Sequence, residues 1–132
     1  MGVIVDTCIW IDVERGRLSP ADVQSKTGSE PVFMSPITLA ELSFGVENAG
    51  TEDIRQKRIS ALERLRKKPV LIIDDETGII FGNVAAALRR QGRDGDFRIQ
   101  DLWVASQAIQ HGFPIFTRNR KDFEDIPGLQ LL

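Results

Sequence analysis

The sequence predicts a three-layer α/β/α domain built on a mostly parallel sheet of four to five strands. Short apolar runs rich in β-branched residues recur at 2–6, 31–35, 70–73 and 114–117, and helical patterns separate them. Continuous apolar runs of this length suit strands covered on both faces. Their alternation with helices implies parallel strands joined by right-handed crossovers.

Each element has a local reason. Residues 2–6, GVIVD, form the first strand, and 7–15 a helix closed by Gly16. Ser19 and Pro20 supply a cap and a first-turn proline for a short helix that ends near Gly28. PVFMS is the second strand, and Ser35-Pro36 repeats the cap-plus-proline signature for a helix through about Glu47. Residues 52–68 form a long basic helix stopped by Pro69, and VLII, 70–73, is the third strand. Asp74 or Asp75 caps a helix that runs to about Arg90. After the loop GRDGDFR, residues 99–111 are helical and stop at Gly112. PIFT is the fourth strand, RNRKDF a loop or short turn, and the terminal LQLL a further edge strand.

The 132 residues, 42% hydrophobic and 27% charged, fit one domain over 1–132. Cys8 is the lone cysteine, so no intramolecular disulfide forms, and no leader pattern precedes it; a cytoplasmic location is expected. No apolar stretch approaches the roughly 20 residues of a transmembrane helix, so no membrane association is expected. A net charge of −2 and a pI near 5.4 argue at first against nucleic acid. The charges are uneven, however: residues 55–68 hold seven Lys or Arg and one acid. Further basic groups lie at Arg89, Arg90, Arg93 and Arg98, and at Arg118, Arg120 and Lys121.

Three acids stand in apolar positions. At about 100° per residue, Asp101 falls among Val104, Ala105, Ala108 and Ile109, while Ser106, Gln107 and Gln110 take the other side. Glu41 is bracketed on one helical face by Ile37, Ala40 and Phe44. Asp6 ends the first strand, where parallel sheets open their ligand crevice. Singly, Asp6 reads as a helix N-cap, Asp101 as a helix-dipole partner and Glu41 as half of a buried salt bridge. Together, three desolvated carboxylates repel and need a cation, and an oxygen-only set suits Mg²⁺ or Mn²⁺. Asp74, Asp75 and Glu76 read as capping acids, His111 as a helix C-terminal partner and Cys8 as a small core residue.

The stretches VIVDTCIWID, SPITLAELSFGV and IQDLWVASQAIQHGFPIFTRNRKDF, taken in order and spacing, resemble PIN-domain ribonucleases and in particular the VapC toxins of toxin–antitoxin pairs. The resemblance implies a PIN-like fold and Mg²⁺-dependent endoribonuclease activity. It implies catalytic and metal-ligating roles for Asp6, Glu41 and Asp101, with Asn119 at a fourth position that is Asp in some members and Asp122 three residues later. Thr7 matches a hydroxyl that orients metal or water. Thr117 precedes the fourth position, and Asp96 is a nearby acid in the loop before Asp101. Arg118, Arg120 and Lys121, beside the acids, are expected to hold the RNA backbone. An RNA substrate, a small antitoxin and a homodimer follow from the same resemblance. Trp10 and Trp103 are candidates for either interface, with core packing favoured for at least one. The rivals are another metal-dependent phosphoryl hydrolase, a DNA nuclease or phosphatase, and a non-catalytic module in which Glu41 and Asp101 anchor a basic peptide.

Overall fold

A computed structural model describes residues 1–93 and 98–132. Three parallel strands form the centre of the sheet: β1 (Val3–Val5) lies between β2 (Val32–Phe33) and β3 (Ile115–Phe116), in the order β2-β1-β3. Val3 pairs with Val32 and Ile4 with Phe33 on one side; Ile4 pairs with Ile115 and Val5 with Phe116 on the other.

The helices are α1 (Thr7–Glu14), α2 (Pro20–Thr27), α3 (Pro36–Glu47), α4 (Glu52–Leu65), α5 (Asp75–Arg90) and α6 (Ile99–His111). A 3₁₀ turn, Arg120–Asp122, follows β3. The capping chemistry is what the sequence specifies. Ser19 and Asp22 form a reciprocal capping box before α2, Ser35 accepts the Ile37 N–H before α3, and Asp74 accepts the Thr77 N–H before α5. Gly112 ends α6 at φ 70°, a left-handed conformation that glycine adopts without penalty.

The two outer expected strands shrink to single bridges. Residues 70–73 contribute one parallel bridge, Met34 to Val70, and the terminal LQLL one, Ile115 to Leu131. Pro69 has no N–H to extend its ladder, and the chain rises from the edge into the α5 cap, leaving Leu71 buried but Ile72 75% exposed. Among the described residues the sheet therefore has three continuous strands and two one-bridge edges.

Strand alternation divides the core. Ile4 packs with Leu88, Leu102, Ala105 and Phe123 on the α5–α6 side, whereas Val3 and Val5 pack with Ile9, Trp10 and Met34 on the other. That two-sided burial is the three-layer arrangement. Gly2 passes so close to this packing that a Cβ would sit 2.5 Å from the Phe33 ring.

Helix α6 departs from its expected amphipathic form. Periodicity sets Ser106 and Gln107 on a polar side, yet both are fully buried. Their donors go to backbone carbonyls: Ser106 Oγ donates to Leu102 O at 2.7 Å and Gln107 Nε2 to Leu71 O at 2.8 Å, while Gln107 Oε1 is buried without a hydrogen-bond partner among the described residues. The tryptophans are also packing residues. Trp10 is buried with Lys68 Nζ 5.8 Å above its ring, and half-buried Trp103 stacks on Phe81 at 4.2 Å. Among the described residues no helix is long and apolar enough to cross a membrane.

Candidate active site

Strand β1 delivers Asp6 to the carboxyl end of the sheet, where α1 begins. Asp6 is 6% exposed, and its carboxylate is well supplied with donors. Oδ1 accepts the Thr7 N–H at 2.8 Å, which makes Asp6 the α1 N-cap. Oδ2 accepts the Thr117 hydroxyl at 2.8 Å and the Cys8 thiol at 3.4 Å. Thr117, buried at the end of β3, also accepts the Asn119 N–H at 3.0 Å and so fixes the following loop. Burial, and after it the Asp6 charge, raises the Cys8 pKa and keeps it a thiol that can donate. Cys8 is thus a neighbour of Asp6 and no mere core filler.

The side chain of Thr7 reaches across to α3. Its hydroxyl donates to Glu41 Oε1 at 2.9 Å and lies 3.0 Å from the Thr38 hydroxyl. Thr38 and Glu41 are three residues apart and share one face of α3, so a hydroxyl chain links Thr38, Thr7 and Glu41. The sequence reading missed Thr38, although its i−3 spacing from Glu41 was a usable signal.

Asp101 comes from the first turn of α6, and it too is 6% exposed. Its Oδ2 is buried without a hydrogen-bond partner; the nearest cation is Arg98 Nε at 3.8 Å. Burial raises the Asp101 pKa to about 6. The charge of Arg98 opposes the rise, and those of Asp6, Asp122 and Glu41 add to it. Asp101 therefore shares one electrostatic field with carboxylates from β1, α3 and the 3₁₀ turn.

The PIN domain family model matches residues 3–129. The chain is 30% identical over 133 residues to Ribonuclease VapC of Rickettsia bellii, covering all of this chain and 96% of that protein. It is 33% identical over 126 residues to Ribonuclease VapC5 of Mycobacterium tuberculosis, covering 95% and 87%. The chain belongs to the PIN-domain VapC ribonuclease family. The structure of VapBC-5 from Mycobacterium tuberculosis, a member of the VapBC family of toxin-antitoxin systems, superposes with a TM-score of 0.78 at 27% identity, covering 100% of this chain and 98% of that one.

In this PIN domain Asp6, Thr7, Glu41, Asp101, Thr117 and Asp122 come together, with Asn119 on the loop that Thr117 fixes. Asp96 lies outside the described residues. The oxygen donors fit a hard divalent cation, and the orphaned Oδ2 of Asp101 is the atom that most needs one. Among the described residues no three His, Cys, Asp or Glu side chains are grouped closely enough to hold a metal ion between them. A cation held here would therefore be largely hydrated and bound by one or two carboxylates, as Mg²⁺ commonly is.

Two of the basic residues beside the acids have partners within the chain. Arg118 Nη1 lies 2.9 and 2.7 Å from the two oxygens of Asp12, a carboxylate only 3% exposed. Arg17 lies 3.6 Å from the same group. This pair clamps α1 to the loop that carries Thr117 and Asn119. Sequence reasoning missed Asp12, although an acid inside TCIWIDVE gave the same signal as Glu41. Arg120 donates to the Leu132 carbonyl at 3.2 Å, and Lys121 is exposed. On α4, Arg58 donates to Gly45 O at 2.7 Å and lies 3.6 Å from Glu14, so part of the basic run ties helices together.

Beside Thr7 and Glu41 opens an apolar groove of about 640 Å³ between α1, α3 and α4, lined by Trp10, Ile11, Ile37, Leu42, Phe44 and Leu62. Phe44 is 69% exposed at its rim.

Proposed function

We propose that this chain is the toxin of a toxin–antitoxin pair, a divalent-metal-dependent endoribonuclease that hydrolyses RNA phosphodiester bonds in the cytoplasm. The observation that carries this reading is the buried Oδ2 of Asp101, without a hydrogen-bond partner among the described residues and within the field of Asp6, Glu41 and Asp122. A carboxylate so placed is strained as an anion unless a cation joins it.

Asp6 and Asp101 would hold Mg²⁺, or Mn²⁺, with Glu41 as a ligand directly or through water. When bound, such an ion supplies Lewis acidity, acidifying water and offsetting charge that builds on the phosphate. The chain's own groups do the rest. Thr117 and the Thr7 N–H hold the Asp6 carboxylate in one orientation, Thr7 and Thr38 hold Glu41, and Asn119 contributes a neutral oxygen donor. Asp122 adds negative charge that strengthens cation binding. Lys121 and Arg120 border the site and favour the RNA backbone, while Arg118 acts through the Asp12 clamp.

The family relationship and the VapBC-5 structure support an antitoxin partner. Its apolar segment would lie in the groove between α1, α3 and α4, which runs directly into the Thr7–Glu41 chain. A homodimer is proposed on the family relationship alone.

The test is Asp101→Asn. Asn keeps the shape, so the protein should fold with an unchanged circular dichroism spectrum, while Mg²⁺-dependent RNA cleavage falls by more than about 10²-fold, the loss expected when metal-centred stabilisation of several kcal/mol is removed. Wild-type products should carry 5′-phosphate and 3′-hydroxyl ends. Full activity in the variant would remove Asp101 from the site.

A further inference from the structure

Arg98 is the N-cap residue of α6, and its guanidinium, which carries only donors, cannot accept the helix N–H groups. The guanidinium reaches over the acids instead: Nη2 lies 3.3 Å from Glu41 Oε2 and Nε 3.8 Å from Asp101 Oδ2. One cation thus spans two carboxylates from α3 and α6. Its hold is loose, because the side chain is 54% exposed and Asp101 Oδ2 still has no hydrogen bond with Arg98 in place. Half-exposed ion pairs without close bidentate geometry are weak.

A single guanidinium charge faces the field of Asp6, Glu41, Asp101 and Asp122. A divalent ion brings twice the charge in a smaller volume, competes for the same oxygens and repels the guanidinium. Arg98 would then stand at the mouth of the site with its planar fork free, a shape that matches phosphate oxygens.

We propose that Arg98 is an exchangeable counter-ion, which neutralises Glu41 and Asp101 in the metal-free protein and turns to an RNA phosphate when a divalent cation takes its place. The proposal rests on the nuclease reading. It makes Arg98 opposed to metal binding and favourable to RNA binding, a combination that a structural salt bridge lacks.

The experiment compares the wild-type chain with Arg98→Gln and Arg98→Lys, using Mn²⁺ alone as the probe in calorimetric titration without RNA. Arg98→Gln should bind Mn²⁺ several-fold more tightly, and Arg98→Lys, which keeps the charge, should stay near wild type. At saturating metal, Arg98→Gln should raise the KM for RNA several-fold and flatten its salt dependence by about 0.7–0.9 in log–log slope, the loss of one phosphate contact. Circular dichroism and a thermal melt verify that each variant is folded. Equal or weaker Mn²⁺ affinity in a folded Arg98→Gln protein, beside a wild type that binds Mn²⁺ and cleaves RNA, overturns the Arg98 proposal alone. Failure of the wild type to bind Mn²⁺ or cut RNA overturns the nuclease reading and this proposal with it.

Discussion

Asp6 and Asp101 are equally buried, at 6% exposure each, yet their surroundings are opposite. Asp6 receives a backbone N–H, a hydroxyl and a thiol. Asp101 Oδ2 receives none and faces other carboxylates. Burial alone therefore does not say what a carboxylate is for. Donors turn one acid into a structural joint that can also ligate, whereas the other has only the loosely held Arg98 beside its Oδ2.

The comparison can be broken by like-for-like truncation in the metal-free protein. Asp6→Ala removes the α1 cap and strands the Thr7 N–H and the Thr117 hydroxyl, so unfolding in urea should show a loss of about 1–3 kcal/mol. Asp101→Ala at pH 8 removes a buried carboxylate whose Oδ2 has no hydrogen bond and only the loosely held Arg98 as counter-ion, and should be neutral or stabilising by something of order 1 kcal/mol. A comparable loss at both positions would mean that Asp101 has donors of its own.

The same contrast can be sharpened through pH. The Asp101 pKa is raised in the folded chain, to about 6 from an ordinary value of 3.8. The folded state thus holds its proton more tightly than the unfolded state. The associated stability is fully present below about pH 4 and is lost as pH rises through about 6, roughly 3 kcal/mol in all. Urea midpoints of the metal-free protein should show this loss between pH 4 and 7, and Asp101→Ala should not. A wild-type curve parallel to that of the variant would contradict the raised pKa.

Much of this was legible in the sequence because the signals were local. Serine–proline pairs and Asp74 mark helix starts through capping geometry, and Asp101 and Glu41 stand out because each interrupts an apolar stripe. What the sequence hid depends on segments meeting in space. Asp12 looks like a surface acid until Arg118, 106 residues away, closes on it. Ser106 and Gln107 look like a solvent face until Leu71 and the backbone of α6 supply acceptors. VLII looks like a full strand, but ladder pairing depends on the partner, and only Val70 forms a bridge. The charge of Arg118 was visible in the sequence and its partner Asp12 was not.

The central claim is that a divalent ion completes the carboxylate cluster through Asp101. A thermal melt at pH 8 with 0 to 10 mM Mg²⁺, on wild type and Asp101→Asn, tests it most directly. The ion binds the native state alone, so wild-type stability should climb with the logarithm of Mg²⁺ concentration, by roughly 1.4 kcal/mol at ten times the dissociation constant, while Asp101→Asn stays nearly flat. A flat wild-type melt, or an equal rise in both proteins, would contradict the account.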